Sequence, residues 1–123
     1  MAQDRFPQPW MQSEAPVLLT LDGVCEKEPV VLLKGHTLCF TGQARSGPRP
    51  RLHELAEAAG AKPQKNVTKS LDYLIVGALS QPAWVYSTYG RKIEMVLANR
   101  KTGASTLIIR EDDFLKALER ELT

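Results

Sequence analysis

Cysteine is scarce: Cys25 and Cys39 are the only two in 123 residues, too few for a disulfide framework. Cys39 lies in an apolar run where a thiol packs as a small hydrophobe, so a reducing, intracellular compartment is expected. A basic-then-apolar leader and an apolar run of bilayer length are both missing, so neither secretion nor a membrane partner is expected. No Gly-x-x-x-x-Gly-Lys-Ser/Thr loop or Gly-x-Gly-x-x-Gly fingerprint offers the usual cradle for a nucleotide, and there is no Gly-x-Ser-x-Gly elbow. The two histidines, His36 and His53, lie in no metal-like cluster. No catalytic residue, metal or cofactor is expected, and the chain reads as a binding module. A large excess of charge is lacking too, since the net charge is only +2, too mild to mark a nucleic-acid binder by itself.

What is present is the balance of an ordinary globular domain, 43% apolar and 24% charged, with charge unevenly placed. Between Lys34 and Ser70 stand Lys34, Arg45, Arg49, Arg51, Lys62, Lys65 and Lys69 against Glu54 and Glu57. Positive potential should therefore gather on one part of the surface, where it attracts phosphate. Residues 1–30, rich in Pro, Gln and charge, read as a flexible arm with at most one short strand at Pro16–Thr20. Phe6 and Trp10 in that arm are stray aromatics or docking points. The opening Met1 and this leader suggest a small free-standing protein, expected to be a monomer, with its domain at 31–123.

From Lys34 onward the pattern is regular. His36–Thr41 is a short strand ending at Gly42. Leu52, Leu55, Ala56 and Ala59 recur at helical spacing, with Pro50 in the first turn and Gly60 as a stop. Ala61–Gln64 and Leu71–Val76 are strands, the second closed by Gly77. Ile93, Val96 and Leu97 share a helix face. Thr106–Ile109 is a β-branched strand, and a last helix carries Phe114, Leu118 and Leu122 on one side with Glu111, Asp112 and Asp113 in its first turn. The order β-α-β-β-α-β-α with short apolar strands predicts an α/β fold, its mainly parallel sheet covered on both faces. Between the strand Leu71–Val76 and the second helix runs an irregular stretch, 78–90, whose Trp84, Tyr86 and Tyr89 either pack on the core or stack on an exposed base.

Ligands gather at the C-terminal edge of parallel strands. There Thr41 supplies a hydroxyl, and Gly42 lets a backbone N–H approach an anion without a Cβ in the way. Arg49 opens the first helix with a fork suited to two phosphate oxygens, and Lys92 opens the second. Each of these alone is better explained as a strand end or a solvated charge; together they favour a phosphate site. Arg45, Arg51, Lys69 and Arg91 are candidate accessory contacts to DNA. His53 reads as a half-buried helix residue without a role.

The segment Leu33-Lys34-Gly35-His36-Thr37-Leu38-Cys39-Phe40-Thr41-Gly42 resembles the opening of BRCT domains, of the branch found in bacterial NAD-dependent DNA ligases and the large subunit of replication factor C. Ala58-Ala59-Gly60-Ala61-Lys62 is similar to the family's x-x-Gly-Gly-Lys, with Ala61 for the second Gly. Asn66 to Gly77, ending Asp72-Tyr73-Leu74-Ile75-Val76-Gly77, is the most specific match. Leu107-Ile108-Ile109 followed by Glu111 to Leu115 resembles the last strand and helix. The likeness runs from about residue 33 to 121.

This resemblance implies a four-stranded parallel sheet in the order 2-1-3-4, with helices 1 and 3 on one face and helix 2 on the other. It also implies a phosphate pocket at Thr41, Gly42, Arg49 and Lys92. The family's frequent buried tryptophan is absent from the last helix, and Phe114 is expected in its space. Where 77–92 is longer than the ligase-type pattern, Arg91 or Lys69 is an alternative to Lys92. The expected partner is duplex DNA with a 5′-phosphorylated end; the alternative is a phosphopeptide or another protein of a DNA-repair complex.

Overall fold

A computed structural model describes residues 24–79 and 90–122. The proposed strand at Pro16–Thr20, the aromatics Phe6 and Trp10, and the question of where Trp84, Tyr86 and Tyr89 pack all lie outside these residues. The elements run β1 (Thr37–Thr41), α1 (Arg49–Ala58), β2 (Lys62–Pro63), β3 (Tyr73–Val76), α2 (Gly90–Lys101), β4 (Leu107–Arg110) and α3 (Glu111–Leu122). The four strands form one sheet in the order β2-β1-β3-β4, and every pairing is parallel. This is the sheet expected.

The alternation of side chains along each strand sorts the core into two layers. Leu38, Phe40, Tyr73, Ile75 and Ile109 point to one face, where they meet Leu52 and Ala56 of α1 and Phe114, Ala117 and Leu118 of α3. Cys39, Leu74, Val76 and Ile108 point to the other, against Ile93 and Val96 of α2. The helices are thus divided between the faces as expected. Phe114 is fully buried and meets Phe40 edge-on, with ring centroids 5.3 Å apart. Full burial of such a side chain contributes about 1.5–3 kcal/mol.

Three expectations need correction. Leu122 does not share the buried stripe of α3: it is 47% exposed, and Ala117 closes that face instead. The first, third and fourth strands start later than expected, and the second is only two residues long; Pro63 is tolerated there because the N–H groups that bond the first strand are those of Lys62 and Gln64, and its own position faces the open edge. The packed structure also begins before residue 31. Val24 and Cys25 are buried in the α2 layer, and the Glu26 N–H donates to the Ile108 carbonyl at 2.8 Å. An arm ending at residue 30 therefore does not describe residues 24–30.

Candidate functional site

The shortness of β2 creates the site. On the β2 side of β1, the carbonyls of His36 and Leu38 accept from Lys62 and Gln64 N–H groups, each at 2.8 Å. The next carbonyl on that edge, two residues on, is Phe40, and β2 has already ended at Pro63. A carbonyl left behind in a half-covered edge needs a donor. Two cations supply it. Arg49 Nη1 donates to the Phe40 oxygen at 3.1 Å, and Lys92 Nζ donates to the same oxygen at 3.0 Å. Arg49 Nη2 also reaches the Gly42 carbonyl at 3.1 Å.

These two side chains come from opposite sides of the sheet, Arg49 from the start of α1 and Lys92 from the first turn of α2, and they meet beside Thr41 and Gly42. A guanidinium has five N–H donors and an ammonium three. The contacts to Phe40 and Gly42 engage two nitrogens of Arg49 and one proton of Lys92, which leaves donors for an anion. Neither α1 nor α2 has an acidic residue in its first turn, and α1 starts after Pro48 without a side-chain cap. The positive ends of both helices therefore add to the cationic field rather than being neutralised locally. Thr41 is buried and Gly42 sits at φ 76°, a conformation that favours glycine.

The loop between Gly42 and Arg49 is held by a residue that the sequence reading assigned only to the helix dipole. β4 passes into α3 with no residue between Arg110 and Glu111, so Glu111 stands at the C-terminal edge of the sheet and is 1% exposed. Its carboxylate accepts from the backbone N–H of Arg45 at 2.9 Å, Ser46 at 2.8 Å and Ala78 at 2.7 Å, and from the Ser46 hydroxyl. Burial pushes its pKa up, but these four donors outweigh burial and hold the carboxyl below its ordinary range. Gly77 completes the clamp. A Cβ there would lie 2.3 Å from the Gln43 carbonyl oxygen, so only glycine allows β3 to pass this close to the loop.

His53 is the other residue without an expected role. It is half-buried one turn beyond Arg49, with its ring 5.4 Å from that of Phe40. Burial and then Arg49 depress its basicity; Glu57 pulls it back, while Lys92 and Lys65 depress it further. The Cys39 thiol, behind the same strand, is pushed up by burial despite Lys92 and Arg49, as suits a packing thiol.

The accessory candidates divide. Arg45 lies on the loop, with its guanidinium 2.6 Å from Asp112. Arg51 and Glu54 face each other at 3.5 Å on α1, and Arg91 is exposed beside Lys92. Lys69 does not join them: it precedes Ser70, whose carbonyl accepts from Thr37 at the opposite end of β1. A cavity of about 170 Å³ opens at the β3–β4 side of the same edge, lined by Gly77, Arg45, Arg110 and Glu111 among others; Thr41, Arg49 and Lys92 are outside it. Among the described residues no group of three or more His, Cys, Asp or Glu could hold a metal ion, and no helix is long and apolar enough to cross a membrane.

Comparison with known proteins agrees with this architecture. The family model described as BRCA1 C Terminus (BRCT) domain matches residues 29–115. A DNA ligase of Treponema pallidum (strain Nichols) is 35% identical over 88 residues, which are 72% of this chain and 10% of the ligase. A DNA ligase of Sorangium cellulosum (strain So ce56) is 38% identical over 86 residues, 70% of this chain and 11% of the ligase. The chain thus spans about a tenth of the length of these relatives.

Proposed function

The chain belongs to the BRCT domain family, and on that premise we propose that it is a non-catalytic module of DNA repair or replication that holds the 5′-phosphate of a duplex end. The observation that carries this reading is the meeting of Arg49 and Lys92, from helices on opposite faces, on the Phe40 carbonyl beside Thr41-Gly42. A terminal phosphate brings up to two negative charges and three acceptor oxygens, which suits one fork and one point charge better than an internal phosphodiester does. The joining activity of the ligases is not carried over, since the chain corresponds to a small part of them; their acting on DNA favours DNA over a phosphopeptide as the source of the phosphate.

Binding of this kind reads a phosphate and its surroundings, not a base sequence. With three or four phosphates neutralised, the log–log dependence of affinity on salt should have a slope of roughly −3. Fluorescence anisotropy at low salt on one duplex, with and without its 5′-phosphate, tests the reading directly. The phosphate should tighten binding, and Arg49→Ala should remove about 10- to 100-fold, the equivalent of a charge-assisted contact. Equal binding of both duplexes, unaffected by Arg49→Ala, would exclude DNA ends; preference for a phosphopeptide in the same assay would move the pocket to a protein partner.

A further inference from the structure

We propose that His53 is a further member of this anion site: an imidazole that takes up a proton from solvent as the phosphate binds, so that the grip on the anion is coupled to pH. The inference rests on reading Thr41, Gly42, Arg49 and Lys92 as an anion pocket.

The argument starts from position. On an α-helix, residues four apart lie one above the other, so His53 stands directly behind Arg49 on α1. Its ring packs at a tilt against Phe40, at 5.4 Å between centroids, and the carbonyl of that same residue receives Arg49 and Lys92. Phe40 therefore links the three groups, its backbone oxygen holding Arg49 and Lys92 and its ring packing on His53. The imidazole is half-buried, so it keeps contact with solvent, the source of its proton.

The charged groups around it come from three elements. From α1 there are Arg49 on one side and Glu57, four residues on, on the other; from α2 there is Lys92; from the segment after β2 there is Lys65. Three cations against one carboxylate make a further positive charge, on His53, unfavourable while the pocket is empty. A bound dianion changes that balance. It offsets Arg49 and Lys92, so the basicity of His53, depressed in the free protein, rises in the complex. By linkage, what raises the proton affinity of His53 on binding must raise the anion affinity on protonation by the same factor.

Direction follows from the sign. Affinity should be lowest where His53 is neutral with and without ligand, and should rise as pH falls through its midpoint in the complex. A rise of about one unit in that midpoint corresponds to a gain of up to about tenfold. A phosphate monoester has its own ionisation near pH 6, which would blur this, so the probe is inorganic sulfate.

The decisive measurement is a ¹H NMR pH titration of the two histidines of the full chain, with and without saturating sulfate, at constant ionic strength set by sodium chloride. His36 is an internal control: its ring nitrogen lies 3.1 Å from the Lys34 carbonyl, before the start of β1 and at the far end of the sheet from the pocket. The His53 midpoint should rise by about one unit with sulfate, the His36 midpoint should stay, and Arg49→Ala should abolish the response. An unmoved His53, or an equal movement of both rings, overturns the inference. Duplex binding at pH 8 keeps the two claims apart. If the 5′-phosphate preference holds there while His53 ignores sulfate, the inference fails and the end-binding reading stands. If His53 responds while the duplex shows no preference, the pocket takes anions but not DNA ends.

Discussion

The two ends of the parallel sheet solve opposite problems. At the N-terminal end the strands leave N–H groups, and acids serve them: Asp72 accepts from the Thr37 N–H at 2.9 Å while the Thr37 hydroxyl accepts from the Asp72 N–H at 3.0 Å. Nearby, the buried Thr106 hydroxyl donates to the Leu71 carbonyl at 2.6 Å. At the C-terminal end the strands leave carbonyls, and cations serve them, as Arg49 and Lys92 do at Phe40. The Thr37–Asp72 pair closes on itself, each residue both giving and receiving. The C-terminal end uses groups with more donors than the backbone needs. On the proposed reading, strand polarity together with the short β2 separates a structural end from an anion-binding one.

The largest way to break this contrast is Glu111→Ala. Three backbone N–H groups and the Ser46 hydroxyl would lose a buried charged acceptor, and removal of one partner from such a network costs on the order of 3–5 kcal/mol. Urea unfolding should show that loss in the midpoint. The pH dependence supplies a second check. Because the folded-state pKa of Glu111 is lowered, its contribution is fully present above the unfolded carboxyl value, near 4.3, and is lost as pH falls through the folded value. Glu111→Gln should therefore flatten the acid limb of the stability curve. It should not flatten it fully, since Glu121 is also lowered: burial raises it, but the N–H groups of Leu33 and Lys34 and the nearby Arg120 outweigh that.

Asp72→Ala tests the other end. It removes the acceptor of the Thr37 N–H, which is partly buried, and should cost about 1–3 kcal/mol in the same unfolding assay. Preference for a 5′-phosphate should not change, because Asp72 lies a full strand length from Thr41. A loss of phosphate preference in Asp72→Ala would mean that the two ends are coupled, contrary to the comparison.

Much of this was readable in the residues themselves. Short apolar strands alternating with amphipathic helices imply a covered parallel sheet, and Thr41-Gly42 at the end of the first strand marks the edge where ligands collect. The meeting of Arg49 and Lys92 was expected from resemblance, but its reason was not: it depends on β2 stopping at Pro63, and a two-residue strand leaves almost no periodicity to read. Glu111 was misjudged for a physical cause. Local pattern assigns an acid in a first turn to the helix dipole. Glu111 takes its role from loops distant in sequence, which no window along the chain contains. Leu122 shows the converse error, a correct helical period extended one turn past the layer it packs on.

The smallest expected effect concerns Arg45, whose guanidinium contacts Asp112 at 2.6 Å with both side chains more than half exposed. Such a pair contributes about 0–1 kcal/mol to stability, so Asp112→Asn should leave the urea midpoint nearly unchanged. Its effect on binding should have the opposite sign to that of Arg49→Ala. The substitution removes a negative charge at the C-terminal edge and frees a cation on the loop next to the pocket, so duplex affinity at low salt should rise about two- to threefold. If Arg45 then engages one more phosphate, the log–log salt slope should steepen by about 0.9. An unchanged slope with tighter binding would mean that Asp112 acts only through its charge. A fall in affinity would show that the pair holds the loop in its binding form, making this exposed contact part of the same clamp as Glu111.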